Sequence, residues 1–189
     1  MDTLGASPAS PPISMPRWAR RTATNAWHNR PMGGTGDPLD IRAYQPPDRE
    51  GFAGLVSEVL GEYGFTVDPV LDADLDDPQR AYGGVWVATD EGEVVGSVAV
   101  RLLDGDQVAE LKRMYLKAAY RGRGLGRSLL GRAIEWAKSR GCRSIVLDTS
   151  TTMTAAQRLY ETAGFARTGA RTEIGMHDSR CEILYRLDL

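Results

Sequence analysis

The stretch Glu110–Ser128, read as E-L-K-R-M-Y-L-K-A-A-Y-R-G-R-G-L-G-R-S, constrains the fold more than any other part of the chain. Its first part alternates over Leu111 to Leu116, as a half-buried strand does. A loop follows, Arg121-Gly122-Arg123-Gly124-Leu125-Gly126, with glycine at every second position. Glycine adopts backbone angles closed to other residues, so the loop can turn tightly and aim several N–H groups at one point. From Leu125 onward, Leu125, Leu129, Leu130, Ala133, Ile134 and Ala137 mark one face of a helix. The first N–H groups of a helix lack internal acceptors and carry the positive end of its dipole. Arg121, Arg123 and Arg127 add full charges. Strand, glycine loop and helix N-terminus in this order make a site for a pyrophosphate-like anion.

The 189 residues suffice for one domain with a real core. A net charge of -2 argues against bulk attraction to nucleic acid, so the arginine cluster reads as a local anion pocket. Cys142 and Cys181 make no disulfide framework, and a reducing, cytoplasmic setting is expected. His28 and His177 are far apart, and no metal-ligand spacing occurs. No apolar run reaches membrane-spanning length.

Residues 3–36 contain no Asp or Glu and four arginines, among many Ser, Thr, Ala, Pro and Gly. Such a segment buries too little to order itself, and residues 1–38 are expected to be a disordered tail. Its bias resembles an organelle transit peptide, and Met15 and Met32 are alternative starts. One domain is expected over 39–189.

Within that domain Leu39–Tyr44 alternates as a strand. Pro46 and Pro47 open a helix whose apolar face is Phe52, Leu55, Val56, Val59, Leu60 and Tyr63, ended by Gly64. The acidic segment Asp68, Asp72, Asp74, Asp76 and Asp77 reads as a solvated face, with a lip that attracts a cationic amine as the functional alternative. Val85–Ala88 and Glu93–Leu103 form a hairpin around Thr89-Asp90-Glu91-Gly92. A second turn at Asp104-Gly105 leads to the strand Val108–Leu116. After the glycine loop and its helix, Gly141 is a stop and Ser144–Asp148 a short buried strand. Strand, helix, strand implies a right-handed crossover and a parallel pair. Ala155, Ala156, Leu159, Tyr160 and Ala163 mark another short helix, stopped by Gly164. Phe165–Arg171 and Cys181–Leu187 close the chain as a hairpin, joined by a link, Ile174–Arg180, that carries Gly175.

This order of elements, with R-G-R-G-L-G after the fourth strand and L-Y-E-T-A-G-F after the fifth, resembles the GNAT superfamily of acetyl-CoA-dependent N-acetyltransferases. The loop fits the family pattern Arg/Gln-x-x-Gly-x-Gly/Ala as Arg121, Gly124 and Gly126. The resemblance implies a three-layer α+β fold. Its sheet is mixed, mostly antiparallel, of six to seven strands, with the fourth and fifth parallel but splayed, and about four helices flank it. It also implies acetyl-CoA as cosubstrate and no metal. The pyrophosphate would lie on Arg121, Gly122, Arg123, Gly124, Leu125, Gly126 and Arg127. The pantetheine arm would run along Met114, Tyr115 and Leu116. Many members carry an Asn three residues before the alanine that is Ala156 here, where it contacts the arm. This chain has Met153 there, beside Thr149, Ser150, Thr151 and Thr152, which offer replacement hydroxyls.

An alkyl ammonium must lose a proton before it attacks, and the departing thiolate must gain one. Glu110 matches the position of the catalytic glutamate in histone-type members and is the candidate base, directly or through water. The alternative is a Glu paired with Lys112 or an arginine on a strand surface. Tyr160 matches the family tyrosine near the sulfur and is the candidate acid; the alternative is a core aromatic. The His177 and Cys181 pair has no feature that would make the two face each other. The resemblance thus implies transfer to a small amine, an amino acid or a peptide, with neither nucleic acid nor membrane as partner and a homodimer left open. The competing reading is a CoA-binding sensor without turnover. A P-loop or dinucleotide fold is excluded: no Lys-Ser/Thr follows the glycines, and hairpins rather than βαβ units precede them.

Overall fold

The computed structural model describes residues 39–103, 107–168 and 180–189. The expected tail, the turn at Asp104-Gly105, and most of the closing link with Gly175 and His177 lie outside the described residues.

Seven strands make one mixed sheet among the described residues: β1 Leu39–Ala43, β2 Gly84–Asp90, β3 Glu93–Leu102, β4 Val108–Leu116, β5 Ser144–Thr149, β6 Ala166–Thr168 and β7 Ile183–Asp188. Their spatial order is β1-β2-β3-β4-β5-β7-β6, with β4 and β5 parallel and every other neighbour antiparallel. The helices are α1 Arg49–Glu62, α2 Pro78–Ala81, α3 Leu125–Ser139 and α4 Thr154–Thr162. This is the α+β, mostly antiparallel arrangement that the resemblance implies.

Strand parity sets the layers. Val85 and Val87 of β2 share one cluster with Phe52, Leu55, Val56, Val59 and Leu60 of α1. Gly84 has the opposite parity, and a Cβ there would meet Trp136 of α3. A Cβ on Gly96 of β3 would meet Leu129 of α3 at 3.1 Å. So α1 and α3 cover opposite faces. Each buried Leu, Val or Phe contributes about 1.5–3 kcal/mol, which is what holds the helices on the sheet.

The central event is an irregularity in β4. Ser97 pairs with Tyr115 and Ala99 with Lys112, so Val98 faces both Arg113 and Met114. That is a β-bulge, and Arg113 takes φ +52° to make it. Ser97 Oγ donates to the Arg113 carbonyl at 2.7 Å and pins the distortion. Bulges bend the strand that carries them. Accordingly β4 pairs with β5 only at Val108↔Ser144, Ala109↔Ile145 and Glu110↔Val146. Beyond Glu110 the two strands have no ladder between them. One edge of β4 still serves β3, and the other faces the opening.

The last helix differs in detail from its expected face. Ala155 is exposed, whereas Gln157 is buried beside Tyr160. The strand expected from Phe165 is described as far as Thr168 and pairs with β7.

Candidate active site

A cleft of about 550 Å³ lies where β4 and β5 part. It gathers Met114, Tyr115, Met153 and Tyr160 from the sequence-derived site. Glu110 stands just behind its wall. Leu116 and residues 121–127 are outside the wall, on the segment that leads from β4 into α3.

That segment has the geometry of an anion cradle. Gly122 and Gly124 have φ of +75° and +87°, where other residues are strained, and a Cβ on either would point into open space. Gly124 caps α3, whose first internal bond runs from the Ser128 N–H to the Gly124 carbonyl. Among the described residues no hydrogen bond uses the backbone N–H groups from Gly122 to Arg127. Gly126 has a different reason to be glycine. A Cβ there would press Leu116 at 3.2 Å and Leu159 at 3.3 Å. The arginines divide their work. Arg121 donates to the Leu116 carbonyl at 2.7 Å and 3.0 Å and pairs with Glu62 at 2.6 Å, so its side chain shapes the loop. Arg123 lies over the Tyr120 ring, and Arg127 is exposed. Unsatisfied N–H groups, open space above two glycines and a helix N-terminus fit a pyrophosphate.

Tyr160 is buried, its ring tilted against Phe165 and Tyr185, and it reaches the cleft wall. Burial first, then the charges of neighbours such as Asp148, push its phenol well above the usual range. It therefore holds its proton at neutral pH. Gln157, which the helical periodicity did not single out, fixes the turn before α4. Its amide donates to the Ser150 and Thr151 carbonyls at 3.0 Å and 3.1 Å and accepts from Arg167. The Thr149 hydroxyl faces Met153 Sδ at 3.8 Å.

Glu110 is fully buried. Its Oε2 accepts from Arg101 Nε at 2.5 Å, while Oε1 lies 3.9 Å from Lys112 Nζ and accepts no hydrogen bond. The arginine partner named in the ion-pair alternative is thus present, but Glu110 is buried rather than on a strand surface. Lys112 also reaches Asp148 of β5 at 3.2 Å. Burial disfavours the Lys112 charge, but Asp148 and Glu110 outweigh it and raise its pKa.

The acidic segment is a correction. Asp72 is 3% exposed, and its carboxylate accepts from Arg113 at 2.9 Å and Arg180 at 2.8 Å. Asp74 accepts from both Arg113 and Tyr82. Burial opposes the Asp72 charge, yet hydrogen bonds from Arg180, the Asp68 N–H and Arg113 hold its pKa down at about 2. These two carboxylates are thus committed to arginines: one, Arg113, carries the β4 bulge and the other, Arg180, precedes β7. Asp76, at 85% exposure, and Asp77, also exposed, keep the solvated character expected for all. Cys181 lines the same cleft, while His177 lies outside the described residues. Among the described residues no cluster of His, Cys, Asp or Glu could hold a metal, and no helix is long and apolar enough to cross a membrane.

Comparison with known proteins agrees with this geometry. The chain is 39% identical over 129 residues to an uncharacterized N-acetyltransferase of Schizosaccharomyces pombe, which covers 65% of this chain and 79% of that protein. It is 44% identical over 84 residues to the N-acetylaspartate synthetase of Xenopus tropicalis, a match spanning 44% of this chain and only 31% of that protein. A solved structure of yncA from Salmonella typhimurium, described as a putative acetyltransferase with its cofactor acetyl-CoA, superimposes with a TM-score of 0.62. It covers 80% of this chain and 94% of that one at 22% identity, which speaks for the fold. The model of the acetyltransferase (GNAT) family matches residues 53–165, and the chain belongs to that family.

Proposed function

We propose that this acyltransferase moves the acetyl group of acetyl-CoA to a primary amine by direct attack, with both substrates bound together. The observation that carries the reading is the run of unaccepted N–H groups from Gly122 to Arg127, directly after a strand that has parted from its parallel neighbour. The loop would hold the pyrophosphate, and the free edge of β4 at Met114 to Leu116 would pair with the peptide-like arm. Met153 and the turn fixed by Gln157 would border its far side.

Three tasks then fall to this chain's groups. Glu110 takes the ammonium proton through an intervening water, which suits a carboxylate just behind the cleft wall with one oxygen unaccepting. Backbone N–H groups beside the Arg113 bulge stabilise the oxygen that gains charge. Tyr160 gives its proton to the departing thiolate, in keeping with a phenol whose pKa is raised by burial. A reducing, cytoplasmic setting belongs to the same proposal. A relative named N-acetylaspartate synthetase makes amino acids a group of acceptors to try early.

Thiol release from acetyl-CoA against a panel of amines, amino acids, polyamines and short peptides tests the proposal. Release that depends on one amine class supports it. Tight CoA binding with no release on any amine favours a CoA-binding sensor instead.

A further inference from the structure

We infer that Arg101 holds a carboxylate of the acceptor, so that the amine this site takes is an amino acid or a close relative with a carboxylate near its amine. The inference rests on the acetyl-transfer reading and narrows it.

Most charges around the cleft have partners within the protein. Arg113 is taken up by Asp72 and Asp74, Arg180 by Asp72, and Lys112 by Asp148 and Glu110. Arg101 is different. Its Nε is bound to Glu110 at 2.5 Å, but among the described residues nothing accepts from its two Nη nitrogens. The side chain is 33% exposed and forms part of the cleft wall, whereas its Glu110 partner is 0% exposed. The guanidinium is therefore anchored from behind and presents its outer fork to the cleft.

A guanidinium is planar and rigid, so fixing Nε also fixes where the Nη donors point. Two parallel N–H groups on one fork match a carboxylate. Of the acidic residues on the cleft wall, Asp74 is taken up by Arg113, Asp76 by Arg49 at 3.5 Å and Asp148 by Lys112, so only Asp77 stands there without an ion pair among the described residues. Arg101 is on β3, directly across from Glu110 on β4. A carboxylate held there lies close to the residue proposed to relay the amine's proton. An amino acid joins both groups within a few bonds. Arg101 thus acts as a specificity-determining residue.

The test compares each of several amino acids with its carboxamide and with the matching amine that lacks the carboxyl group, using thiol release by the full chain. The wild type is expected to favour the amino acid by about 10- to 100-fold in kcat/KM. Arg101→Gln is expected to erase that preference by raising KM for the amino acid, with acetyl-CoA affinity by calorimetry unchanged. Arg101→Lys, which keeps the charge but loses the fork, should retain part of it. If Arg101→Gln does not fold, the wild-type preference alone decides. Equal use of amides and amino acids, or release confined to amines without a carboxylate, overturns the inference but not acetyl transfer. So does Arg101→Gln lowering all acceptors in proportion. Absence of thiol release with every amine overturns both.

Discussion

Lys112 Nζ lies 3.2 Å from Asp148 Oδ1, two residues beyond Glu110 and Val146, where the last backbone pairing of β4 with β5 ends. A side-chain ion pair thus spans the first step of the opening that the ladder leaves. Both residues line the cleft along with Tyr160, and Glu110 Oε1 lies 3.9 Å from the lysine. The bulge at Arg113 bends one strand, and the ion pair lies just past the last ladder pair.

This arrangement makes Lys112→Met costly. Removing Lys112 takes a cation away from both Asp148 and Glu110, and breaking a buried pair costs about 3 kcal/mol. Denaturant unfolding should register that loss, and Lys112→Met with Asp148→Leu should recover much of it. If the double variant is as unstable as the sum of the single ones, the pair is not coupled.

Asp72 sets an acid limit on stability. Its folded pKa of about 2 lies below the ordinary 3.8, so its contribution is complete above about pH 4 and is lost as the pH falls toward 2. Melting temperature in acid should show that limb, and Asp72→Asn should flatten it. At pH 7 Asp72→Asn removes the buried carboxylate that Arg113 shares with Asp74 and that Arg180 also uses, and should cost roughly 3 kcal/mol.

Sequence patterns captured the fold because its signals are local. The bounds Val108–Leu116 follow from alternation, and the loop follows from glycines whose φ is positive at 122 and 124. The antiparallel meander and the parallel crossover follow from turn spacing. The cleft wall was less legible because its contacts are distant. Asp72 meets Arg113 41 residues away and Arg180 108 residues away, so five nearby aspartates read as solvated. Gln157 was passed over because a polar helical position counts as exposed, whereas its amide is buried on two carbonyls. Glu110 was legible as a position. Its pairing with Arg101 follows from setting the strand ends Leu103 and Val108 opposite each other, a register that the two-residue turn read at Asp104-Gly105 does not give.

Gly124→Val should impair acetyl-CoA binding. The native φ of +87° is strained for a β-branched residue, and the new side chain would occupy the open space above the N–H groups. Affinity by calorimetry should fall roughly 10-fold or more. Unchanged affinity would remove the loop from the binding site.

Tyr160→Phe should lower kcat by roughly 100-fold while acetyl-CoA affinity stays near wild type. Because burial raises the phenol pKa, its ionisation should cause no fall in wild-type kcat below about pH 10. An unchanged kcat in the variant would make Tyr160 a packing residue against Phe165 and Tyr185.

The most direct test follows the acetyl group itself. The wild-type chain is given acetyl-CoA carrying an isotopic label in the acetyl group, together with an amine acceptor, and the products are read by mass spectrometry alongside free thiol. Label on the acceptor nitrogen, one acetyl for each thiol released, is the expected result. Acetyl-CoA bound without any labelled acceptor, or label recovered only as acetate, would contradict acetyl transfer at this site.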